Sequence, residues 1–199
     1  MCGRFLLDGD IEDIISKYNL SDTIEVYYTR KPEIFPTDTV PVIVNGGFNE
    51  LKLMRWGFVP TAGKGLVINA KSETIEEKNM FKASFLTRRC IIPANAFFEW
   101  KEVERGKKDK YKIIVRDLSL FSMAGIYDEF IDKEGKSFMA FTIITTAANE
   151  VMAHIHDRMP VILSSESEEL WLNSELRDVS QLKSLLKPLQ RNINVAEAK

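Results

Sequence analysis

Short apolar segments separated by turn residues recur along most of the chain, and this pattern restricts it to folds built mainly from strands. Residues 39–44 are predicted as a strand, Asn45, Gly46 and Gly47 as a hairpin turn, and residues 50–58 as the returning strand. Further strands are predicted at residues 90–102, 111–115, 120–124, 138–145 and 161–163, with a charged hairpin loop at 104–110.

Helical periodicity is confined to a few short stretches. Residues 10–18 repeat apolar side chains at helical spacing, with Asp8 or Asp10 as the N-cap. Ser165 and Glu168 predict a capping box at the start of a helix over residues 164–172. Other short helices are predicted at residues 72–85, 147–153 and 180–186. We therefore expect an α+β fold in one domain, residues 1–199, with a bifurcated or barrel-like, mainly antiparallel β-sheet core surrounded by short helices.

The composition narrows the class of protein. Apolar residues make up 45% of the chain and charged residues 28%, which is typical of a soluble globular protein. No apolar run approaches the roughly 20 residues of a membrane helix, and acidic residues follow the start too soon for a signal peptide. We expect no membrane partner, a cytoplasmic location, a monomer by default, and reduced thiols at Cys2 and Cys90.

Charge is unevenly distributed along the chain. The net charge of −2 argues against a general nucleic-acid coat. Residues 1–51 hold four Lys/Arg and nine Asp/Glu, whereas residues 52–89 hold eight Lys/Arg and three Glu. The basic block predicts either a local anion-binding face or only a solvated helix face.

Cys2 directly follows the initiator methionine, and its small side chain permits removal of Met1. Removal leaves a free amine with a pKa of roughly 7.7–8.0 beside a thiol with a pKa of roughly 8.5. Such a 1,2-aminothiol captures an aldehyde as an imine, and the sulfur then closes a thiazolidine ring in an intramolecular step. The alternative is a small apolar residue at a loose chain end.

Glu99 lies within an aromatic run. Strand alternation places Phe97 and Glu99 on one face, with Phe98 and Trp100 on the other. Desolvation of a carboxyl on a half-buried face raises its pKa and suits it to general acid catalysis. A salt bridge to a lysine is the alternative.

Both histidines lie close together, just before Pro160. His156, Asp157 and Arg158 predict a polar turn in which the imidazole carries protons near neutral pH. Arg158 suits a phosphate or carboxylate contact. The histidine and cysteine spacings do not match a metal site, so no metal or cofactor is expected.

Three other side chains are candidates for binding. Asn69 follows a short apolar run and can hydrogen-bond the chain start at Cys2, while Lys71 can contact a phosphate; a turn with a helix cap is the alternative. Trp56, on the second hairpin strand, predicts either a stacking platform for a base or ordinary core packing.

Five ordered motifs resemble the SOS response-associated peptidase (SRAP) family. They read Met-Cys-Gly-Arg-Phe, Arg-Trp-Gly-Phe-Val-Pro, Asn-Ala-Lys-Ser-Glu-Thr, Arg-Cys-Ile-Ile-Pro-Ala-Asn-Ala-Phe-Phe-Glu-Trp and His-Asp-Arg-Met-Pro, and the resemblance covers positions 1 to about 172. Members of this family are abasic-site processing proteins. The resemblance implies binding to single-stranded DNA that contains abasic sites. It also implies a covalent thiazolidine crosslink through the N-terminal cysteine and autoproteolytic removal of the leader.

The resemblance also implies roles for individual positions. The implied catalytic residues are Cys2, Asn69, Glu99 and His156. The implied DNA-binding residues are Arg4, Pro36, Trp56, Lys71 and Arg158. Many relatives have arginine where Lys71 stands, so the bidentate grip on phosphate is lost there. Many also have Asn-x-Ala-Pro where this chain has Glu33, Ile34, Phe35 and Pro36, so only Pro36 matches that motif.

Two other functions stay open from the sequence. An N-terminal-nucleophile amidohydrolase or peptidase acting on a separate substrate uses the same free Cys2. A non-catalytic nucleic-acid-binding module needs Cys2 only for packing. The electrophile that reacts, an abasic oligonucleotide or an amide, distinguishes the first of these from the crosslinking function.

Overall fold

Strands make up most of the regular structure in the computed structural model, which describes residues 2–20, 28–60, 65–190 and 193–198. The strands are β1 Arg4–Leu7, β2 Lys31–Ile34, β3 Thr39–Asn45, β4 Asn49–Trp56, β5 Asn69–Lys71, β6 Arg89–Ala94, β7 Ala96–Glu104, β8 Lys107–Val115, β9 Phe121–Ile131, β10 Ser137–Ala147, β11 Arg158–Pro160, β12 Ile162–Leu163 and β13 Ile193–Glu197. The helices are α1 Ile11–Tyr18, α2 Asn79–Thr87, α3 Glu150–Ala153, α4 Ser165–Leu172 and α5 Val179–Ser184.

Five strands close into a ring. In the order β10, β4, β3, β6 and β9, each strand pairs with the next, and β9 pairs back to β10. Only the β10–β4 pairing in this ring is parallel. Closure leaves the ring strands without free edges. The expected barrel-like, mainly antiparallel core is therefore confirmed, with β5, β11 and β12 attached at its rim.

A second sheet, in the order β13-β8-β7-β1-β2, packs against the ring. Strand β1 lies inside this sheet, between β7 and β2, with Arg4 opposite Phe98 and Phe5 opposite Phe97. Phe5 points into the shared core and meets Trp56 edge-on, with ring centroids 5.2 Å apart. The first strand of the chain is thus an interior strand.

The prediction of a charged hairpin loop at residues 104–110 is wrong. Strands β7 and β8 continue into it, so that Glu102 pairs with Lys108 and only the Arg105–Gly106 step turns. Gly106 has a φ of +84°, a conformation that glycine adopts without a steric penalty. A tight turn and cross-strand pairs of opposite charge therefore replace the loop.

Three further boundaries differ from expectation. Residues 90–102 form two strands separated at Asn95, whose side chain accepts from the Asp8 N–H and donates to the Ser119 carbonyl. The helix predicted from residue 72 begins only at Asn79, after a series of turns. The cap of α4 is Ser164, one residue earlier than predicted.

Arg89, in the basic block, is buried and structural. Its five N–H donors contact backbone carbonyls at the ends of α2 and α4, those of Phe85, Leu86, Trp171, Asn173 and Leu176. Helix C-termini carry unpaired carbonyls and a partial negative charge. A guanidinium donates hydrogen bonds to these carbonyls and neutralises this charge. Burial lowers the pKa of Arg89 to about 10. Arg89 is therefore not available to the anion-binding face predicted for the basic block.

Replacing Arg89 by alanine is expected to lower the free energy of unfolding by more than about 3 kcal/mol, because several buried carbonyls lose their donors. The neighbouring Arg88→Ala is the control: its half-exposed ion pair with Asp128 contributes about 1 kcal/mol or less. Urea unfolding curves measure both. Equal losses in the two variants would contradict the structural role of Arg89.

Candidate active site at the start of the chain

Cys2 is fully buried and belongs to the main hydrophobic core. Its thiol lies 3.8 Å from the Arg4 carbonyl, the weak contact of a sulfur donor. Burial raises the pKa of the Cys2 thiol, and the charge of Glu99 raises it further. The thiol is therefore neutral at neutral pH in this environment. The interpretation of Cys2 as a loose chain end does not fit this position.

Asn69 holds the backbone of Cys2. Its Nδ2 donates to the Cys2 carbonyl at 3.0 Å and to the Ile68 carbonyl at 2.6 Å. These two carbonyl acceptors fix the orientation of the Asn69 side-chain amide, because the flipped amide would turn its oxygen towards both carbonyl oxygens and repel them. The amide oxygen of Asn69 is buried and has no hydrogen-bond partner among the described residues. The predicted contact between Asn69 and the chain start is present.

Trp56 lies beneath this contact. Its indole is fully buried, stacks on Phe141 at 6.3 Å and donates from Nε1 to the Ile68 carbonyl at 3.0 Å. A ring with no exposed surface offers no face to a base, so the stacking platform predicted for Trp56 is not formed in this conformation. Trp56 is therefore a core residue, and its hydrogen bond to the Ile68 carbonyl supports the strand that begins at Asn69.

Glu99 occupies the inner face of β7, as alternation predicts. Phe97 beside it belongs to the main core, whereas Phe98 and Trp100 pack in a separate cluster on the outer face. Glu99 is only 2% exposed. Burial raises the pKa of its carboxyl, and the charge of Asp157 adds to the rise. The protonated carboxyl of a general acid is favoured at this position.

His156 lies two residues before β11. Its Nδ1 accepts from the Arg158 backbone N–H at 3.0 Å, which places the proton of the neutral ring on Nε2. The Asp157 carboxylate lies 2.7 Å from the same Nδ1, an attractive contact only if that nitrogen is protonated. The contact with the Arg158 N–H decides which nitrogen carries the proton, because the Asp157 side chain is 84% exposed and can turn towards water instead. Burial lowers the pKa of His156, which favours the neutral ring.

Arg158 and Lys71 both lie beside the end of β10, opposite Ala147 and Thr145. The Arg158 guanidinium makes a bidentate contact with Glu73, at 2.6 and 2.9 Å, and donates to the Thr145 carbonyl. This contact lowers the pKa of Glu73 and joins β11 to the loop that follows β5. Lys71 is exposed. Contacts of Arg158 and Lys71 with DNA stay predictions.

Arg4 is held at the outer face of β1 by aromatic rings. Its guanidinium carbon lies 3.7 Å from the Phe35 ring centroid and 5.3 Å from that of Trp100. Phe35 is 44% exposed and precedes Pro36 in a turn that is closed by the Asp38 carboxylate accepting from the Phe35 N–H. Pro36 is therefore beside the site, although its contact with DNA stays a prediction.

An open cleft of about 420 Å³ joins three of the candidate residues, Arg4, Glu99 and His156; Trp100 and Lys108 also line it. The sequence interpretation missed Lys108, together with Lys110 and Glu33, which lie beside Arg4. The alternation of Lys108, Lys110 and Lys112 was a usable signal, because residues two apart share a strand face.

In the segments that the structure describes, no group of three or more His, Cys, Asp or Glu side chains is placed to hold a metal ion. Within the same segments, no helix has the length and apolar character that crossing a membrane requires.

The fold and these side chains define a mixed β-barrel protein whose candidate nucleophile is its second residue. A family model described as SOS response associated peptidase (SRAP) matches residues 1–198, and the chain belongs to this family. The resemblance found in the sequence motifs is confirmed.

Individual proteins are also similar over most of the chain. Abasic site processing protein YoqW of Bacillus subtilis (strain 168) is 40% identical over 195 residues, which cover 94% of this chain and 87% of that protein. Abasic site processing protein YedK of Escherichia coli (strain K12) is 32% identical over 184 residues, which cover 88% and 81%. A crystal structure of a protein from Bacteroides thetaiotaomicron matches with a TM-score of 0.88 and 30% identity, over 100% of this chain and 92% of that one.

Replacing Glu99 by glutamine is expected to stabilise the folded protein at neutral pH. Burial raises the pKa of Glu99 in the folded protein above its value in the unfolded chain, about 4.3. The contribution of Glu99 to the free energy of unfolding is therefore fully present below the unfolded pKa and is lost as pH rises through the folded pKa. The urea midpoint of Glu99→Gln should therefore exceed that of the parent at pH 7.5, and the two should converge towards pH 4. Glu129→Gln, at an exposed position, is the control; a gain as large in it would contradict the assignment to burial.

Proposed function

We propose that this protein processes abasic sites in single-stranded DNA by forming a thiazolidine between Cys2 and the ring-opened sugar. One observation supports this most: the Cys2 backbone is held by Asn69 while the Cys2 thiol lies within the electrostatic influence of the buried Glu99. The names of two relatives, YoqW and YedK, as abasic site processing proteins support the substrate.

The reaction begins with removal of Met1, which frees the Cys2 amine. The buried amide oxygen of Asn69 lies on the residue that already binds the Cys2 carbonyl and can accept a hydrogen bond from this amine. An amine held in this way can attack the aldehyde carbon without losing further orientational freedom. Addition gives a carbinolamine.

Glu99 and His156 then handle the protons. The protonated Glu99 carboxyl donates to the carbinolamine hydroxyl, which leaves as water and produces the imine in its protonated form. The thiol of Cys2 adds to the imine carbon, the nitrogen keeps its hydrogen as the ring N–H, and the thiol proton returns to the Glu99 carboxylate. His156, neutral with its proton on Nε2, suits the opening of the closed sugar, in which the proton of the anomeric hydroxyl moves to the ring oxygen. Ring closure by sulfur before β-elimination leaves the DNA strand intact.

Intact-mass analysis of the protein with an abasic oligonucleotide tests this proposal. We expect loss of Met1 and one covalent adduct per chain, of mass equal to protein plus oligonucleotide minus one water. Cys2→Ser is expected to lose the stable adduct while retaining weak non-covalent binding.

Cys90→Ser is the matched control, because Cys90 is the other cysteine and is also buried. It is expected to crosslink like the parent protein. An equally stable adduct in Cys2→Ser, or active protein with Met1 still attached, would show that the thiazolidine is not formed. Reaction with an amide instead of the aldehyde would favour the amidohydrolase alternative.

The pH dependence of crosslinking tests the role of Glu99. The rate is expected to rise as the Cys2 amine loses its proton and to fall as Glu99, whose pKa burial raises, loses its own. Glu99→Gln should lower the maximum about 10²- to 10⁴-fold and abolish the alkaline decline. Single-turnover rates between pH 5 and 9 measure this; a profile of unchanged shape would remove Glu99 from proton transfer.

A further inference from the structure

Glu33, on β2, bridges two cations beside the cleft. Its carboxylate accepts from Arg4 Nη1 at 2.8 Å and from the Lys110 ammonium. The three side chains are 22–26% exposed. Burial acts to raise the pKa of Glu33, but the hydrogen bonds from Lys110 and Arg4 outweigh it and hold the pKa below its usual value. Glu33 is therefore a fixed anion.

The two cations are placed by aromatic rings rather than by Glu33 alone. Phe35 and Trp100 hold the Arg4 guanidinium, and the Lys110 ammonium lies 4.4 Å from the Phe98 ring centroid. These cation–π contacts are made to the rings and not to the carboxylate, so exchange of the counter-ion does not remove them. The Nε atom of Arg4 is buried and has no hydrogen-bond partner in the described segments.

This arrangement resembles an anion site with its own anion in place. Arg4 lines the cleft that contains Glu99 and His156, so a phosphate at Arg4 is next to the reacting sugar. A carboxylate and a phosphodiester accept hydrogen bonds from a guanidinium in similar geometry. Two anions at one position repel, so they exclude each other.

We propose that Arg4 and Lys110 form a subsite for a DNA backbone phosphate, and that the Glu33 carboxylate fills this subsite in the free protein. Binding of the strand then exchanges one anion for another, which lowers the affinity for DNA without changing the net contacts of the cations. The proposal rests on the proposed function, because it takes the ligand to be a DNA strand. The opposite possibility is that Glu33 only positions Arg4, and it predicts an effect of opposite sign.

The experiment measures non-covalent binding in a Cys2→Ser background, so that no crosslink forms. Fluorescence anisotropy with an intact single-stranded oligonucleotide gives the Kd as a function of salt. Glu33→Gln is expected to bind about 3- to 10-fold more tightly at low salt, because one negative charge at the subsite is removed. The plot of log K against log salt should steepen by about one phosphate contact.

Glu129→Gln makes the same change in net charge at an exposed position on β9 and is expected to change the Kd less than twofold. Glu33→Asp keeps the charge and should bind like the parent, which guards against a folding defect in Glu33→Gln. Adding Lys110→Ala to Glu33→Gln should abolish the gain.

Weaker or unchanged binding by Glu33→Gln, with the parent binding normally, would overturn the subsite while leaving the proposed function intact. A gain of equal size in Glu129→Gln would also overturn it, because net charge alone would then explain the effect. If the parent neither binds nor crosslinks DNA, the proposed function fails, and the phosphate subsite fails with it.

Discussion

The pairing of strand β1 on both sides is the constraint on which the site depends. A chain start is ordered only where something holds it, and here β7 and β2 hold residues 4–7 within a five-stranded sheet. Phe5 anchors the strand in the core against Trp56. Cys2, two residues before this strand, is therefore held in the interior, where Asn69 donates a hydrogen bond to its carbonyl. A cysteine at a flexible terminus would lack this placement.

Burial then determines the proton distribution around Cys2. The same desolvation raises the pKa of the Cys2 thiol and of the Glu99 carboxyl and lowers that of the His156 ring. All three groups are thereby shifted towards their neutral forms, the state in which the carboxyl can donate a proton. Burying such groups reduces stability, and extensive burial of apolar side chains from both sheets offsets it.

Much of the fold could be predicted from local pattern, but not its closure. Helix α1 and the hairpin of β3 and β4 follow from periodicity and from the turn at Gly47, whose φ is +115°. The parallel pairing of β10 with β4, which closes the ring, joins residues about 85 positions apart and has no local signal. The same limit applied to the site. The exposure of Trp56 and Phe35 depends on tertiary contacts, and so does the contact between Glu33 and Arg4. By contrast, the strand alternation that places Glu99 on the inner face was a local signal.

Strand β7 connects the proposed chemistry to the proposed phosphate subsite, because its two faces hold different groups. Glu99 lies on the inner face, while Phe98 and Trp100 on the outer face hold the Lys110 and Arg4 cations. A slip of one residue between β7 and β8 would exchange the faces. The one irregularity in this pairing lies between Glu102 and Glu104, next to the turn, so the register from Phe97 to Trp100 is unaffected. The tight hairpin that replaces the expected charged loop therefore fixes the position of Glu99 relative to Lys110.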